Sequence, residues 1–397
     1  MDKKYKLSDS ALKTSVNKNL YVIIALKDFS DVKTGDVGGF VESEDNLSQT
    51  GDCWIYDSAK VYGTAKVSGD AKIYDNAIVC GDSSITGNAI VAGNVKISDN
   101  VWIYDNAKVY DNAKVSGDAK IHDNAIVCGV SSITGNAIVA GNAKISDNVW
   151  IYDNAIISDY ANISETSSIS GNSKISGNVR IGGRVQVSGN AQISKNASIN
   201  GWCNIADNTI ITDDACISGC VDVYNNAIIK EHANVKGYVE IKDNVCISGN
   251  VNIHAISPKF TIDYQYGVFI NGNVKIFGDV YIKSANGQIR IMDDTMIFGN
   301  VIFHGPQYVR GNAYIYKDNH YKNYTVKNYG VKQRKTTKYR QSVDATEINI
   351  TYTCSNKQFN TWINNKFVFG NAEQFLQQLN GFTKSTINEC KKFIYSV

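Results

Sequence analysis

Proline is almost missing from this chain, with 2 residues in 397. Nothing in it reads as a proline-rich linker between independent domains. Histidine is scarce at 5 residues, which limits the general bases to a short roster. Net charge is only +2, so no whole-molecule field commits the protein to nucleic acid or an acidic membrane. No apolar run reaches the roughly 18 residues of a spanning helix. The opening MDKKYKLSDSALKTSV also lacks the apolar segment of a secretory leader, so no membrane association is expected. The 9 cysteines are odd in number and form no CxxC. Cys216 and Cys220 have no second pair or histidine at zinc-site spacing, so reduced structural thiols, a cytoplasmic setting and no metal are expected.

What the chain has instead is a rhythm. From Cys53 it follows a six-residue rule, small-x-Ile/Val-x-Gly/Asp-Asn/Asp, as in AKVSGD, SSITGN and VWIYDN. The aliphatic position recurs without a break from Ile55 to Ile253, which is 34 hexads. The small residue and the Ile/Val lie two apart, on one face of a short strand, and the variable positions point the other way. Gly, Asn and Asp then accept the positive φ of a tight corner. Three such strands close a triangle, so that one coil consumes three hexads. The unbroken array therefore predicts about 11 coils stacked about 4.8 Å apart, a prism about 50 Å long. Each inward Ile or Val contributes about 1.5 to 3 kcal/mol, effective only because neighbouring coils also cover it.

The hexads resemble those of the hexapeptide-repeat superfamily. More narrowly, LKDFSDVKTGDVGGFVESEDNLSQTGDCWIYDSA, residues 26–59, resembles the N-terminal signature of YdcK-like hexapeptide-repeat proteins common in phages and prophages. The resemblance implies a left-handed parallel β-helix, an all-β solenoid, from a mobile element, in a family largely without assigned chemistry. By itself the crossover rule would favour the opposite hand.

Four segments are expected. Residues 1–52 form an N-terminal cap, with a strand in NLYVIIAL and the Gly- and acid-rich KTGDVGGFVESEDN folding over the first coil. Residues 53–316 form the β-helix, regular to 253 and then carrying loop insertions. Residues 317–342 form a basic, Tyr-rich connector, and 343–397 a small α+β module. In that module EINITYTC and FNTWINNKFVF are strands, and two short helices follow with Asn371 and Thr383 as N-caps.

Residues 71–106 and 119–154 are near copies that differ at three positions. They are offset by eight hexads, which is not a multiple of three. The copy therefore falls on a different wall, and Trp54, Trp102 and Trp150 fall on three walls. Core packing survives such a shift, whereas a site built on one wall does not, so the repeat is scaffold. The outward tyrosines 56, 62, 74, 104, 110 and 152 spread over all walls, as do the outward lysines, and no aligned stripe is read from them.

The remaining chemistry is sparse. Hexapeptide-repeat relatives include many acyltransferases, and the resemblance implies trimers using a histidine near a cleft between prisms. His122 has Tyr74 as its counterpart in the other copy, and His232 reads as a solvated corner. His320 lies in the basic stretch. His254 and His304 flank insertions and are the weak candidates for a general base. The stretch 314–340 holds eight Lys/Arg against one Asp. Its Tyr321, Tyr324, Lys327, Tyr329, Lys332, Arg334, Lys335, Lys338 and Arg340 are the candidate binding residues, with basic groups for phosphates and rings for bases. The expectation is a non-enzymatic scaffold, phage or prophage encoded, that holds or inhibits a host protein through its C-terminal loops and tail. It needs no cofactor. Acyl transfer, nucleic-acid binding through residues 317–340, and self-assembly or a virion role are the alternatives, and a homo-oligomer is compatible with each.

Overall fold

The computed structural model describes residues 2–13, 17–255, 267–284, 288–299, 301–304, 307–311, 313–316, 319–322, 325–327, 336–343, 346–353, 358–363, 366–370, 372–379, 387–388 and 390–391. Two-residue strands such as Lys60–Val61, Lys66–Val67 and Lys72–Ile73 stack in parallel into three walls, an all-β solenoid. The first wall runs through Ile55, Ile73 and Val91 to Ile253, Ile282 and Phe303. The second runs from Val41 and Val61 to Val309 and Val326. The third, from Val67 to Ile315, has fourteen strands among the described residues.

Each inward aliphatic and its small partner are shielded from solvent, as Ile145 and Ala143 illustrate. The corners work as the hexad predicts, with Asp57, Asp75, Asp99 and many corner glycines at positive φ. One edge carries a row of side-chain amides. Asn136 Nδ2 donates to Asn154 Oδ1 at 2.9 Å, and the pattern continues through Asn172, Asn190, Asn208, Asn226, Asn244 and Asn273 to Asp294 Oδ1 at 2.8 Å.

The ladder measures the insertions. The third wall climbs from Ile229 through Ile247, Ile276 and Ile297 to Ile315. The corner hydrogen bonds of the same coils give each step. Asn226 and Asn244 are 18 residues apart, Asn244 and Asn273 are 29, Asn273 and Asp294 are 21, and Asp293 and Gly311 are 18 again. Eleven extra residues thus enter one coil and three the next. The parallel ladder continues past Tyr316, because Asn319–Lys322 pairs with Val301–His304 and Thr325–Lys327 with Gln307–Arg310.

The N-terminal end holds a strand that the sequence reading lacks. Tyr5–Lys13 pairs antiparallel with Asn19–Ala25, which pairs with Val37–Val41, and that strand hands over to the parallel ladder at Lys60–Val61. Trp54 is buried beneath this cap, edge-on to Tyr5 at 6.2 Å and Phe29 at 5.4 Å. The paired glycines of the signature segment allow the approach. A Cβ on Gly38 would stand 2.6 Å from the Ile55 carbonyl oxygen, and one on Gly39 would stand 2.6 Å from that of Ala59.

At the other end Thr336–Val343, Thr346–Thr353, Gln358–Ile363 and Lys366–Gly370 form a four-stranded antiparallel sheet, followed by helix Ala372–Gln378. The expected strand in EINITYTC is there, but the sheet begins earlier, at Thr336. Residues 317–342 are therefore divided between the last solenoid coil and the first strand of the sheet. Of the second expected helix, only 387–388 and 390–391 fall among the described residues. No helix among the described residues is long and apolar enough to cross a membrane.

Candidate functional site

The register decides which residues can act together. In the first wall the position after each aliphatic forms a column, and towards the C-terminus it reads Lys236, His254, Lys283, His304 and Lys322. Both candidate bases thus stand in one column with Lys283 between them, about 10 Å apart at two ladder spacings. The alternation Asn252–Ala255, partly exposed then buried, turns the His254 imidazole outward beside the buried Ile253. The eleven extra residues of this coil, 256–266, follow Ala255 and are outside the described set.

Around the next corner the second wall carries Glu240, Phe269, Arg290 and Tyr308 in one column. The Arg290 guanidinium lies 5.4 Å from the Phe269 ring centre and 5.9 Å from that of Tyr308, and its Nε donates to Gln288 Oε1 at 2.8 Å. On the third wall Phe277 stacks on Phe298 at 5.2 Å. The C-terminal coils therefore carry unrepeated aromatic and basic residues on all three walls. Their chemistry is cationic and aromatic, with histidine available to move protons.

The other candidates separate. His122 stacks on Tyr104 at 4.8 Å, and its Nδ1 is 3.1 Å from Asp123 Oδ2. With Asp105 these two could offer three ligand atoms to a cation. The group sits at the surface in the copied block, and no further His, Cys, Asp or Glu among the described residues joins it. His232 is an exposed corner residue 3.4 Å from Asp214. His320 pairs with Ile302 at the end of the first wall.

Of the candidates in the basic stretch, Tyr321 takes the register position of Phe303 in the first wall. Lys327 pairs with Arg310, while Lys338 and Arg340 lie in the antiparallel sheet opposite Thr351 and Asn349. Tyr324, Tyr329, Lys332, Arg334 and Lys335 lie outside the described residues.

The rotation expected of the copied block holds. Trp54 is in the first wall, Trp102 in the third and Trp150 in the second. The absence of an aligned stripe does not hold for the chain as a whole. In Arg180–Val187, Ser198–Ile205, Cys216–Val223 and Asn234–Ile241 the corner between the first two walls becomes continuous strand. Arg184, Trp202, Cys220 and Tyr238 form one column along it. Trp202 is 68% exposed and Tyr238 45% exposed, and the Arg184 guanidinium lies 5.4 Å from the Trp202 ring. A coil-by-coil comparison of GGRV, NGWC, SGCV and KGYV carries this signal, whereas the six-residue rule hides it.

This repeat and its three-walled coil define a hexapeptide-repeat protein, and the chain belongs to that class. It is similar to the uncharacterized acetyltransferase YdcK of Escherichia coli (strain K12), 41% identical over 76 residues, a match spanning 17% of this chain and 23% of that protein. No family model matches. Among solved structures it resembles UDP-N-acetylglucosamine O-acyltransferase from Moraxella catarrhalis, with 17% identity, 45% of this chain and 71% of that one covered and a TM-score of 0.23. It also resembles the Campylobacter jejuni UDP-N-acetylglucosamine acyltransferase, with 18% identity, 59% and 72% covered and a TM-score of 0.24.

Proposed function

We propose that the chain is an acyltransferase whose reaction takes place at the first-wall column of His254, Lys283 and His304. The observation that carries the reading is the meeting of two histidines and one lysine in a single register column, at the coils that the eleven and three extra residues lengthen. The naming of the similar YdcK protein as an acetyltransferase supports it over the host-directed scaffold expected from the sequence. In this reading His254 takes the proton of an acceptor hydroxyl or amine as that atom attacks an acyl thioester. The Lys283 ammonium, one coil away, offsets the negative charge gathering on the carbonyl oxygen, and the departing thiolate then takes the proton. The test is acyl transfer from acyl thioesters to a panel of hydroxyl and amine acceptors. His254→Ala and His304→Ala should each lower turnover, with a loss of about 10²-fold or more for the residue acting as base. Unchanged turnover in both folded variants refutes the site.

A second reading, a non-enzymatic binding scaffold, draws on the Phe269, Arg290 and Tyr308 stack and the Phe277 and Phe298 pair. It predicts that truncation after Tyr316, or charge reversal at Lys332, Arg334 and Lys335, weakens capture of the partner, with strong salt dependence if that partner is nucleic acid.

A further inference from the structure

Beneath the N-terminal cap lies a buried amine beside a buried thiol, and neither takes part in the proposed acyl transfer. Lys4 and Cys53 are both shielded from solvent. Lys4 Nζ donates to the carbonyl oxygens of Cys53 at 2.9 Å and Gly51 at 3.2 Å, and it stands 3.2 Å from Cys53 Sγ. The amine covers carbonyls at the open end of the solenoid, which is a structural task. That task does not need sulfur, because the serine or alanine found at the matching position of other hexads would leave those carbonyls in place.

Burial acts on the two groups in a common direction. It pushes the Lys4 ammonium's pKa down and the Cys53 thiol's up, so both are driven towards their neutral forms. A neutral amine has a lone pair. Burial also keeps out polar and bulky reagents, which leaves small apolar gases as the oxidants suited to this pair. The Phe29 ring lies 5.1 Å from Lys4 Nζ.

We propose that Lys4 and Cys53 are a covalent modification site, at which dioxygen joins them through a single bridging oxygen. The balance is one amine, one thiol and one dioxygen giving the N–O–S bridge and one water. One N–H and the S–H bond are broken, one N–O and one O–S bond are formed, and the second oxygen atom leaves as water with both released hydrogens. Nitrogen and sulfur are oxidised and dioxygen is reduced. The 3.2 Å separation suits this product. An interposed oxygen closes the gap with far less movement than a direct S–N bond demands. The other contacts of the thiol are longer, with the Ser48 and Thr50 carbonyls both 3.7 Å from Cys53 Sγ. The bridge would tie the segment leading into the first cap strand to the first coil, across 49 residues of chain.

The experiment is intact-mass and peptide mapping of the full chain prepared in air without reductant. The expected result is a species heavier by one oxygen and lighter by two hydrogens, with the Lys4 and Cys53 peptides linked, reverting to the unmodified mass with dithiothreitol once the chain is unfolded in denaturant and missing from protein prepared without oxygen. Lys4→Arg and Cys53→Ser should each abolish it, and the melting temperature of the wild-type chain, but not of Cys53→Ser, should be higher for protein prepared in air than for protein prepared without oxygen. If either variant fails to fold, the wild-type peptide map decides. A free Cys53 thiol after prolonged air exposure overturns the proposal. So does Cys53 oxidised to sulfinic acid with Lys4 unlinked, or a linked species lacking the extra oxygen.

Discussion

Ile145→Asp tests the wall assignment most directly. Ile145 is fully buried in the first wall, between Val127 below and Ile163 above, while its neighbour Lys144 faces solvent. Removing the isoleucine forfeits about 1.5 to 3 kcal/mol of burial. The new carboxyl group must then be neutral inside the prism, and holding a group of ordinary pKa about 3.9 protonated at pH 7 costs about 4 kcal/mol. Its hydroxyl and carbonyl find no partner among Ile and Val stacks, which adds about 1 to 3 kcal/mol. The total, about 6 to 10 kcal/mol, is comparable with the whole stability of a typical domain. Because each coil touches only its neighbours, the damage should divide the prism at that turn. Lys144→Ser should cost no more than about 0.5 kcal/mol. The sign of the pH effect follows from linkage. The carboxyl pKa is higher in the folded than in the unfolded state, so the folded state binds more protons and loses relative stability as pH rises above about 4. Lowering the pH from 7 to 4 should therefore recover about 4 kcal/mol. Far-UV circular dichroism melts of both variants at pH 4 and 7, with limited proteolysis to locate the break, make the measurement. Equal melting temperatures for Ile145→Asp and Lys144→Ser refute the inward and outward assignment.

Three further outcomes are expected. Gly39→Ala should destabilise the cap by about 1 to 3 kcal/mol, read by hydrogen exchange in Asn19–Ala25, since its Cβ would meet the Ala59 carbonyl and Ile55 Cγ2, each at 2.6 Å. Asp31 receives Lys72 Nζ at 2.6 Å and the Tyr56 hydroxyl at 2.9 Å, and these hydrogen bonds, the lysine's foremost, hold its pKa down to about 2. The pair's modest, solvent-screened contribution is therefore present above about pH 4 and lost as pH falls through 2, and Asp31→Asn should flatten that acid limb in a melting series. Deleting residues 107–124, one whole coil, should leave a folded prism with near-native melting behaviour, because Asn106 then leads into Ala125 in the same phase. A collapsed, protease-sensitive product would refute the three-hexad coil.

The core was legible because one rule, Ile or Val at every sixth position, is enforced by burial in every coil from Ile55 to Ile253. Other features obey longer or shifted periods. His254 and His304 share a column only because the two coils between them are lengthened by insertions, which no fixed period in the sequence discloses. The Trp202 and Tyr238 column repeats once per coil at a corner, where the hexad reading assigns only a turn. The strand Tyr5–Lys13 escaped notice because its register shifts between Leu7 and Ala11, breaking the alternation that marks a strand.

The row of amides along one edge gives the prism a sense of direction that its core of stacked aliphatics lacks. Every amide donates towards the C-terminus, so the local dipoles align and the row ends on a carboxylate, which accepts a hydrogen bond and cannot pass one on. The same punctuation occurs earlier on this edge, where Asn100 donates to Asp118 at 2.9 Å and the next row starts afresh at Asn136. Asparagine thus extends a row and aspartate stops it. The choice between these two near-isosteric residues at each corner sets how far electrical polarity accumulates before a negative charge cancels it.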